Sequence, residues 1–181
     1  YCIPIYPYFL MRVGEDHGLR LELTEVGRRI NENMPREVVK LIFEGMSRLG
    51  LNKKLVRVTL LGLAFRGDVP DTRLSPTYDI IEELFRNGVR SIVVHDPIVS
   101  HDEKLLEMGV KLTQDFDEAL KGSSVVVLVT DHSVYKGMEV SIFRKKSGRA
   151  VVVVDGRNLL KFSSEVGDSL YVGIGRPWMS I

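Results

Sequence analysis

Two arginines follow apolar runs that we predict to be neighbouring strands, and they have the side chains best suited to bind an anion. Arg66 comes after VRVTLLGLAF, with Phe65 beside it, and Arg157 comes after AVVVVDG. A helix is predicted to begin at Ser75 and Pro76, because serine is a favoured cap and proline fits the first helical position. Arginine is a forked donor and a helix amino terminus attracts negative charge, so the combination predicts a phosphate site. The alternative is that these arginines are solvated or form surface ion pairs.

The chain has one cysteine, Cys2, within the stretch CIPIYPYFL. A single cysteine cannot form an internal disulfide. Because no secretory signal pattern is present either, we expect the protein to reside in the reducing cytoplasm. Taken by itself, a lone thiol near a terminus is usually an inert apolar group or simply an exposed one.

Other polar residues at predicted strand ends have simpler interpretations. Asp96 in HDP could contact a ribose, but it equally fits a strand stop, which we favour. Asp71 and Arg73 in DTR could form a turn with an internal ion pair. His95 and His132 lack partners at metal-ligand spacing, so we predict no metal site and interpret TDHS as the cap of the next helix.

The first 52 residues contain a helical arm that precedes the strands. From 19 to 50, apolar residues recur at spacings of three and four, which predicts an amphipathic helix ending at Gly50. Pro35 would break or kink it, so we expect two helices that meet near Asn33, or one bent helix. The apolar stripe of this arm consists of Val26, Ile30, Met34, Val38, Leu41 and Ile42.

Beyond residue 53, short β-branched runs alternate with helical segments. The predicted strands are 56–65, 90–97, 110–113, 124–130, 150–156 and 170–175, and the predicted helices lie near 75–87, 102–108, 115–121 and 139–146. Several runs are apolar throughout, which is typical of strands covered on both faces. The predicted fold class is therefore α/β, a doubly wound, mostly parallel, six-stranded Rossmann-like sheet preceded by the helical arm. We divide the chain into domains 1–52 and 53–181.

Charge and hydropathy exclude some classes of partner. The 181 residues include 25 Lys and Arg against 24 Asp and Glu, a net charge of +1. Such a balance provides no global field for nucleic acid or an anionic membrane. No apolar run approaches the roughly 18 residues of a membrane span, so neither partner is expected.

Several stretches together resemble the carboxyl-terminal part of the UDP-glucose and GDP-mannose dehydrogenase family. They are LLGLAFRGDVPDTRLSPTYDIIEEL, VVHDP, VTDH and VVVDGRN, in this order and spacing. CIPIYPYFL followed by INENMP is similar in particular to the branch that oxidises UDP-N-acetylmannosamine or UDP-N-acetylglucosamine. The resemblance covers nearly all of the chain.

The resemblance implies an NAD-dependent, two-step oxidation of a UDP-N-acetylhexosamine, with the mannosamine favoured, to its uronate. It implies that Cys2 is the nucleophile and carries a thioester intermediate. By the same resemblance, Phe65, Arg66 and Arg157 contact the UDP-sugar, and Arg73 lies near the NAD. The helical arm is implied to be the contact of a homodimer, and the reaction to serve polysaccharide biosynthesis.

Two features depart from the family pattern. Tyr6 stands where the family carries an aspartate that activates water, and a phenol with a pKa near 10 is a poor base at neutral pH. The G-x-G-x-x-G fingerprint of the family's amino-terminal NAD domain is absent from these residues. We therefore expect a truncated product, one half of a split gene or an excised fragment, without turnover on its own. The alternative function is a non-catalytic UDP-sugar-binding or assembly module.

Overall fold

The computed structural model describes residues 2–161 and 167–181. Two helices come first, α1 (Tyr6–Asp16) and α2 (Glu22–Arg48). The strands are β1 (Arg57–Leu61), β2 (Ser91–His95), β3 (Lys111–Thr113), β4 (Val125–Leu128), β5 (Val152–Asp155), β6 (Leu170–Gly173) and β7 (Met179–Ser180). Four helices alternate with them, α3 (Pro76–Arg86), α4 (Glu103–Glu107), α5 (Phe116–Leu120) and α6 (Ser141–Ser147), and a 3₁₀ turn spans Ser133–Tyr135.

The seven strands form one sheet in the order β3-β2-β1-β4-β5-β6-β7. Strands β1 to β6 are parallel, and β7 pairs antiparallel with β6. This confirms the predicted α/β class, although the sheet has seven strands rather than six. The additional strand contains only two residues, too few for a periodic pattern. The strand order reverses between β1 and β4, and in such sheets this switch point is where a crevice opens at the carboxyl ends of the strands.

Both faces of the sheet are buried, which explains the uninterrupted valine runs. Along β4, Val125 and Val127 pack in a cluster with α2 and α3, whereas Val126 and Leu128 pack in a second cluster with α5 and α6. Successive side chains of a strand point to opposite faces, so a strand covered on both sides must be apolar at every position.

Helix α2 is continuous through Pro35, so of the two predicted alternatives the pair of helices is wrong and the single helix is the one observed. Pro35 is buried, and the turns after it bury Val38 and Ile42 against the sheet. We infer that this packing outweighs the one hydrogen bond that proline removes. The apolar stripe is divided in consequence. Its second half lies in the core, while Val26 remains 37% exposed and Ile30 60% exposed.

Helix α1 was not predicted, because prolines and aromatic residues are weak helix formers. Pro7 lies in its first turn, where a missing amide hydrogen is tolerated. The helix is attached to α2 through Tyr8, whose hydroxyl donates to the Glu32 carboxylate. The Arg28 guanidinium also lies 5.8 Å from the centre of the Tyr8 ring. Tertiary contacts of this kind are not visible in a local pattern.

The last turns of α2 make close contact with the sheet and the end of the chain. A Cβ atom on Gly45 would lie 2.4 Å from Val152 Cγ1 and 2.6 Å from the Trp178 ring, so only glycine fits at this position. The Arg48 guanidinium covers the same ring at 5.0 Å. No helix in the described part of the chain has the length and apolar character needed to cross a bilayer.

Candidate functional site

A cleft of about 1720 Å³ opens at the carboxyl edge of the sheet, which we call the carboxyl-edge cleft. Residues of α1, α2 and the segments that follow β1, β2, β5 and β6 line it. They include Ile3, Pro4, Ile5, Tyr8, Arg28, Phe65, Arg73, Ser75, Tyr78, Asp102, Gly156, Arg157 and Ile174. Three of the predicted site residues, Phe65, Arg73 and Arg157, therefore face one space.

The other two predicted residues lie outside this lining. Arg66 is exposed and makes no ion pair with any residue in the described ranges. Cys2 is exposed and directly precedes the lining residues Ile3 and Pro4. Its carbonyl accepts from the amides of Ile5 and Tyr6, at 3.0 and 2.8 Å, so the cysteine begins the turn that leads into α1.

The phenol of Tyr6 lies near the Cys2 thiol. A hydrogen bond between them, together with the charge of the thiolate, raises the pKa of Tyr6 above its ordinary value. A raised pKa leaves even less phenolate, the form that can accept a proton, at neutral pH. Tyr6 is therefore even less suited to activate water than its residue type suggests.

Arg66 and Arg157 do not follow neighbouring strands, as the sequence had suggested, because β4 lies between β1 and β5. Asp131, just after β4, instead connects the segment that follows β1 with the segment that follows β5. Its Oδ1 accepts from Arg157 Nη2 and from the Gly67 amide, both at 3.1 Å. Burial alone would raise the pKa of Asp131, but these two donors outweigh it and the pKa is lowered.

The cap of α3 agrees with the sequence interpretation. Ser75 Oγ accepts from the Thr77 amide at 3.2 Å, and Pro76 is the first helical residue. Within the preceding loop, Arg73 donates to both carboxylate oxygens of Asp71, at 2.9 and 2.7 Å. This ion pair lowers the pKa of Asp71 to about 2. The internal bridge proposed for DTR is therefore present, and Arg73 still lines the cleft.

Asp96 is completely buried at the end of β2 and serves the protein rather than a ligand. Its Oδ2 accepts from the amides of Leu63 and Ala64, at 2.8 and 2.9 Å, and its Oδ1 accepts from those of Ile98 and Val99, both at 2.9 Å. Although burial alone would raise the pKa of Asp96, its hydrogen bonds, including one from His132, lower it. The structure supports the strand-stop interpretation over a ribose contact.

The same geometry bears on whether a dinucleotide would fit here. In a dinucleotide-binding Rossmann domain, free amides of the turn after the first strand hold the pyrophosphate. In this chain the amides of Leu63 and Ala64 already donate to Asp96. The turn after β1 therefore does not fit the pyrophosphate of NAD.

His132 lies at the cap position of the 3₁₀ turn, as TDHS suggested, but its side chain does not cap that turn. The ring is buried and contacts Asp96 and the backbone of Asp68 instead. Asp68 was not predicted as a site residue, and neither was Asp131. Within the described residues, no group of three His, Cys, Asp or Glu side chains is arranged to hold a metal ion.

The strand order and the cleft at its switch point define a Rossmann-like nucleotide-binding domain. A sequence profile of the UDP-binding domain of the UDP-glucose/GDP-mannose dehydrogenase family matches residues 59–162. The chain therefore belongs to this family.

Individual relatives agree with this assignment. The chain is 33% identical over 177 residues to the UDP-N-acetyl-D-mannosamine dehydrogenase of Pyrococcus horikoshii. The aligned residues make up 97% of this chain and 38% of the relative. It is 29% identical to the UDP-N-acetyl-D-glucosamine 6-dehydrogenase of Pseudomonas aeruginosa, over 88% of this chain and 37% of the relative. The chain thus spans little more than a third of the length of these curated relatives.

Solved structures show the same similarity. The UDP-D-ManNAc dehydrogenase structure from Pyrococcus horikoshii superposes with a TM-score of 0.78 at 30% identity, over 97% of this chain and 38% of that one. A UDP-glucose dehydrogenase from Pyrobaculum islandicum gives a TM-score of 0.74 at 28% identity, over 97% and 37%.

Proposed function

We propose that this chain is the UDP-sugar-binding part of a nucleotide-sugar dehydrogenase and that the ligand lies in the carboxyl-edge cleft. The observation that carries the proposal is the position of Phe65 and Arg157 in one cleft at the switch point of a UDP-binding domain. An apolar ring and a forked cation suit a uracil base and a diphosphate, respectively.

The substrate class that we propose is a UDP-N-acetylhexosamine, and the mannosamine is favoured. The names of several relatives support it, including the one from Pyrococcus horikoshii. The corresponding reaction oxidises the primary alcohol of the sugar to a carboxylate. NAD would accept the electrons, and the proposed contact of Arg73 with NAD stays a prediction.

In this reaction Cys2 is the proposed nucleophile. Its thiolate would add to the carbonyl carbon of the aldehyde, and at the acyl stage it would leave when water attacks. A thiolate suits both steps because it is a strong nucleophile and a good leaving group from an acyl carbon. The exposed position of Cys2 beside the cleft is compatible with this role.

A binding module without redox chemistry is the second candidate. The observation that favours it is the turn after β1, whose amides are engaged by Asp96 and do not fit a dinucleotide. We accordingly expect this chain to bind UDP-sugars without oxidising them. We also propose that the exposed half of the α2 stripe pairs with a second copy of the chain, and that the protein works in the cytoplasm.

Titration calorimetry with UDP, UDP-N-acetylmannosamine and AMP tests the proposal. We expect heat from both uridine ligands and none from AMP. Absent UDP binding would contradict the proposed function. Incubation with UDP-N-acetylmannosamine and NAD then separates the two candidates. NADH formation that Cys2→Ala abolishes would identify an enzyme, whereas binding without NADH would identify the module.

A further inference from the structure

We propose that His132 is a positioning residue for the UDP ligand, because its neutral Nε2–H tautomer holds the backbone beside Phe65 and Arg66. The proposal rests on the function proposed above, since the ligand is the same UDP group. His132 itself does not line the carboxyl-edge cleft. It acts on the loop that follows β1, and this loop carries two of the expected ligand contacts.

The hydrogen bonds of the ring determine its tautomer. Nδ1 lies 3.0 Å from the Asp68 amide nitrogen, and Nε2 lies 3.1 Å from Asp96 Oδ2. A backbone amide can only donate, so Nδ1 must accept and cannot carry a hydrogen. The ring hydrogen is therefore on Nε2, where it donates to the buried carboxylate. Reversal of the tautomer would lose both bonds of a ring that is itself completely buried.

The contact with Asp68 matters because this residue has an unfavourable backbone conformation. Its φ is 61°, in the left-handed region that non-glycine residues seldom adopt. Three successive residues hold it there. Asp131 Oδ1 accepts from the Gly67 amide, His132 Nδ1 accepts from the Asp68 amide, and Ser133 donates to Asp68 Oδ1 from its amide and its hydroxyl, at 3.0 and 3.1 Å.

These bonds hold the loop after β1 against residues 131–133, the segment after β4. We call this set of hydrogen bonds the clasp. The loop also approaches too closely for a larger residue, because a Cβ on Gly67 would lie 2.3 Å from the Asp131 carbonyl oxygen. Phe65 and Arg66 directly precede the clasped residues. Their backbone course therefore depends on the clasp, and Asp131 links the same clasp to Arg157.

Two amide substitutions separate the functions of the two ring nitrogens. In His132→Asn the amide oxygen can occupy the place of Nδ1 and accept from Asp68, but nothing reaches Asp96. In His132→Gln the amide nitrogen can occupy the place of Nε2 and donate to Asp96, but the Asp68 amide loses its acceptor. Each variant loses one hydrogen bond of the ring, so each is expected to lower the unfolding temperature.

The two variants are expected to differ in ligand binding. His132→Gln should weaken UDP binding roughly tenfold, since one part-buried hydrogen bond that fixes the loop is lost. His132→Asn should keep the affinity within about threefold of the wild type, a smaller change than the loss of one hydrogen bond to the loop would produce. Amide hydrogen exchange without ligand should show faster exchange at Asp68 in the Gln variant only. His95→Gln is the matched control, because that buried ring bonds to Tyr135 and not to the loop.

A spectrum of the wild type provides a test that needs no variant. Nitrogen NMR of the histidine rings should show a neutral His132 with its hydrogen on Nε2. A ring protonated on Nδ1 would contradict the proposal, as would equal UDP affinities of the Gln and Asn variants. If the wild type does not bind UDP, the proposed function fails. In that case the ring tautomer and the exchange rate of the Asp68 amide still test whether His132 holds the loop. If the variants do not fold, the nitrogen NMR spectrum of the wild type is the test.

Discussion

At the scale of single residues, two aspartates at strand ends have different roles because their burial differs. Asp96 is fully buried and satisfies backbone amides of the turns after β1 and β2. Asp131 is partly exposed and pairs with the Arg157 guanidinium. Both occupy the edge where a ligand would bind, but only the second is near enough to the cleft to affect the charge that a ligand meets.

Arg157→Ala is expected to weaken UDP binding by about 1.5 to 3 kcal/mol, the usual worth of hydrogen bonds to a charged group. The reason is the loss of the forked cation that faces the cleft. Calorimetry of the variant measures the change. Arg90→Ala is the matched control, since Arg90 precedes β2 at the opposite edge of the sheet. Equal UDP affinities of the wild type and Arg157→Ala would remove the diphosphate from this position.

Asp96→Asn is expected to lower the free energy of unfolding by about 3 to 5 kcal/mol at neutral pH, the range for removing one partner of a buried charged pair. The pKa of Asp96 is lowered in the folded state, so its charged form stabilises the fold above the unfolded pKa of about 4. The difference between variant and wild type should shrink as the pH falls below that value. Urea unfolding across a pH series measures it, and a difference that stays constant down to pH of about 2 would contradict this account.

At the scale of elements, the two halves of α2 lie in different environments. Its first half presents apolar side chains to solvent, and its second half is part of the core above β4 and β5. The change occurs near Pro35, the residue that was expected to interrupt the helix. Packing on the sheet, rather than helix propensity, therefore decides what each half of α2 contacts.

Gly45→Ala is expected to destabilise the fold by about 1 to 3 kcal/mol, the usual cost of overpacking a core. The added carbon would meet Val152 and Trp178 well inside contact distance. Gly27→Ala is the matched control in the same helix, with no atom within 4 Å of the added carbon. It should stabilise by about 0.5 to 1 kcal/mol through helix propensity. Urea unfolding measures the change in the free energy of unfolding, which should be negative for Gly45→Ala and positive for Gly27→Ala. Equal changes in the two variants would contradict this prediction.

The strands and the helices that alternate with them could be predicted because their patterns are local. The predicted helix near 75–87, for example, corresponds to α3 at Pro76–Arg86. The order of strands is not local, and this is why Arg66 and Arg157 were placed on neighbouring strands although β4 separates them. The bridging role of Asp131 depends on that order. It could not be predicted from TDHS alone.

At the scale of the whole molecule, the chain combines a sheet that is covered on both faces with an arm that is only partly covered. Large apolar side chains on α1 and the first half of α2 are exposed, among them Phe9, Leu23 and Ile30. Leaving such groups in water forfeits about 1.5 to 3 kcal/mol each, which favours a partner surface. The proposed partner is a second copy related by a two-fold axis.

Ile30→Asp is expected to shift the chain from dimer to monomer, because it places a charge within the proposed contact. Light scattering over a dilution series measures the mass. Leu55→Asp is the control, since Leu55 is 79% exposed and lies outside the arm. A wild-type mass of 20.5 kDa at every concentration would rule out the dimer. Val38→Asp is unsuitable for this purpose because Val38 belongs to the core and its loss would unfold the domain.

The position of Trp178 against Gly45 and Arg48 has a practical consequence. It is the only tryptophan of the chain, so its fluorescence has a single source. The ring lies where the last turns of α2 meet the sheet, and its emission will therefore report the docking of that helix. Followed during denaturation beside far-ultraviolet circular dichroism, this intrinsic signal distinguishes an arm that detaches early from one that melts together with the strands.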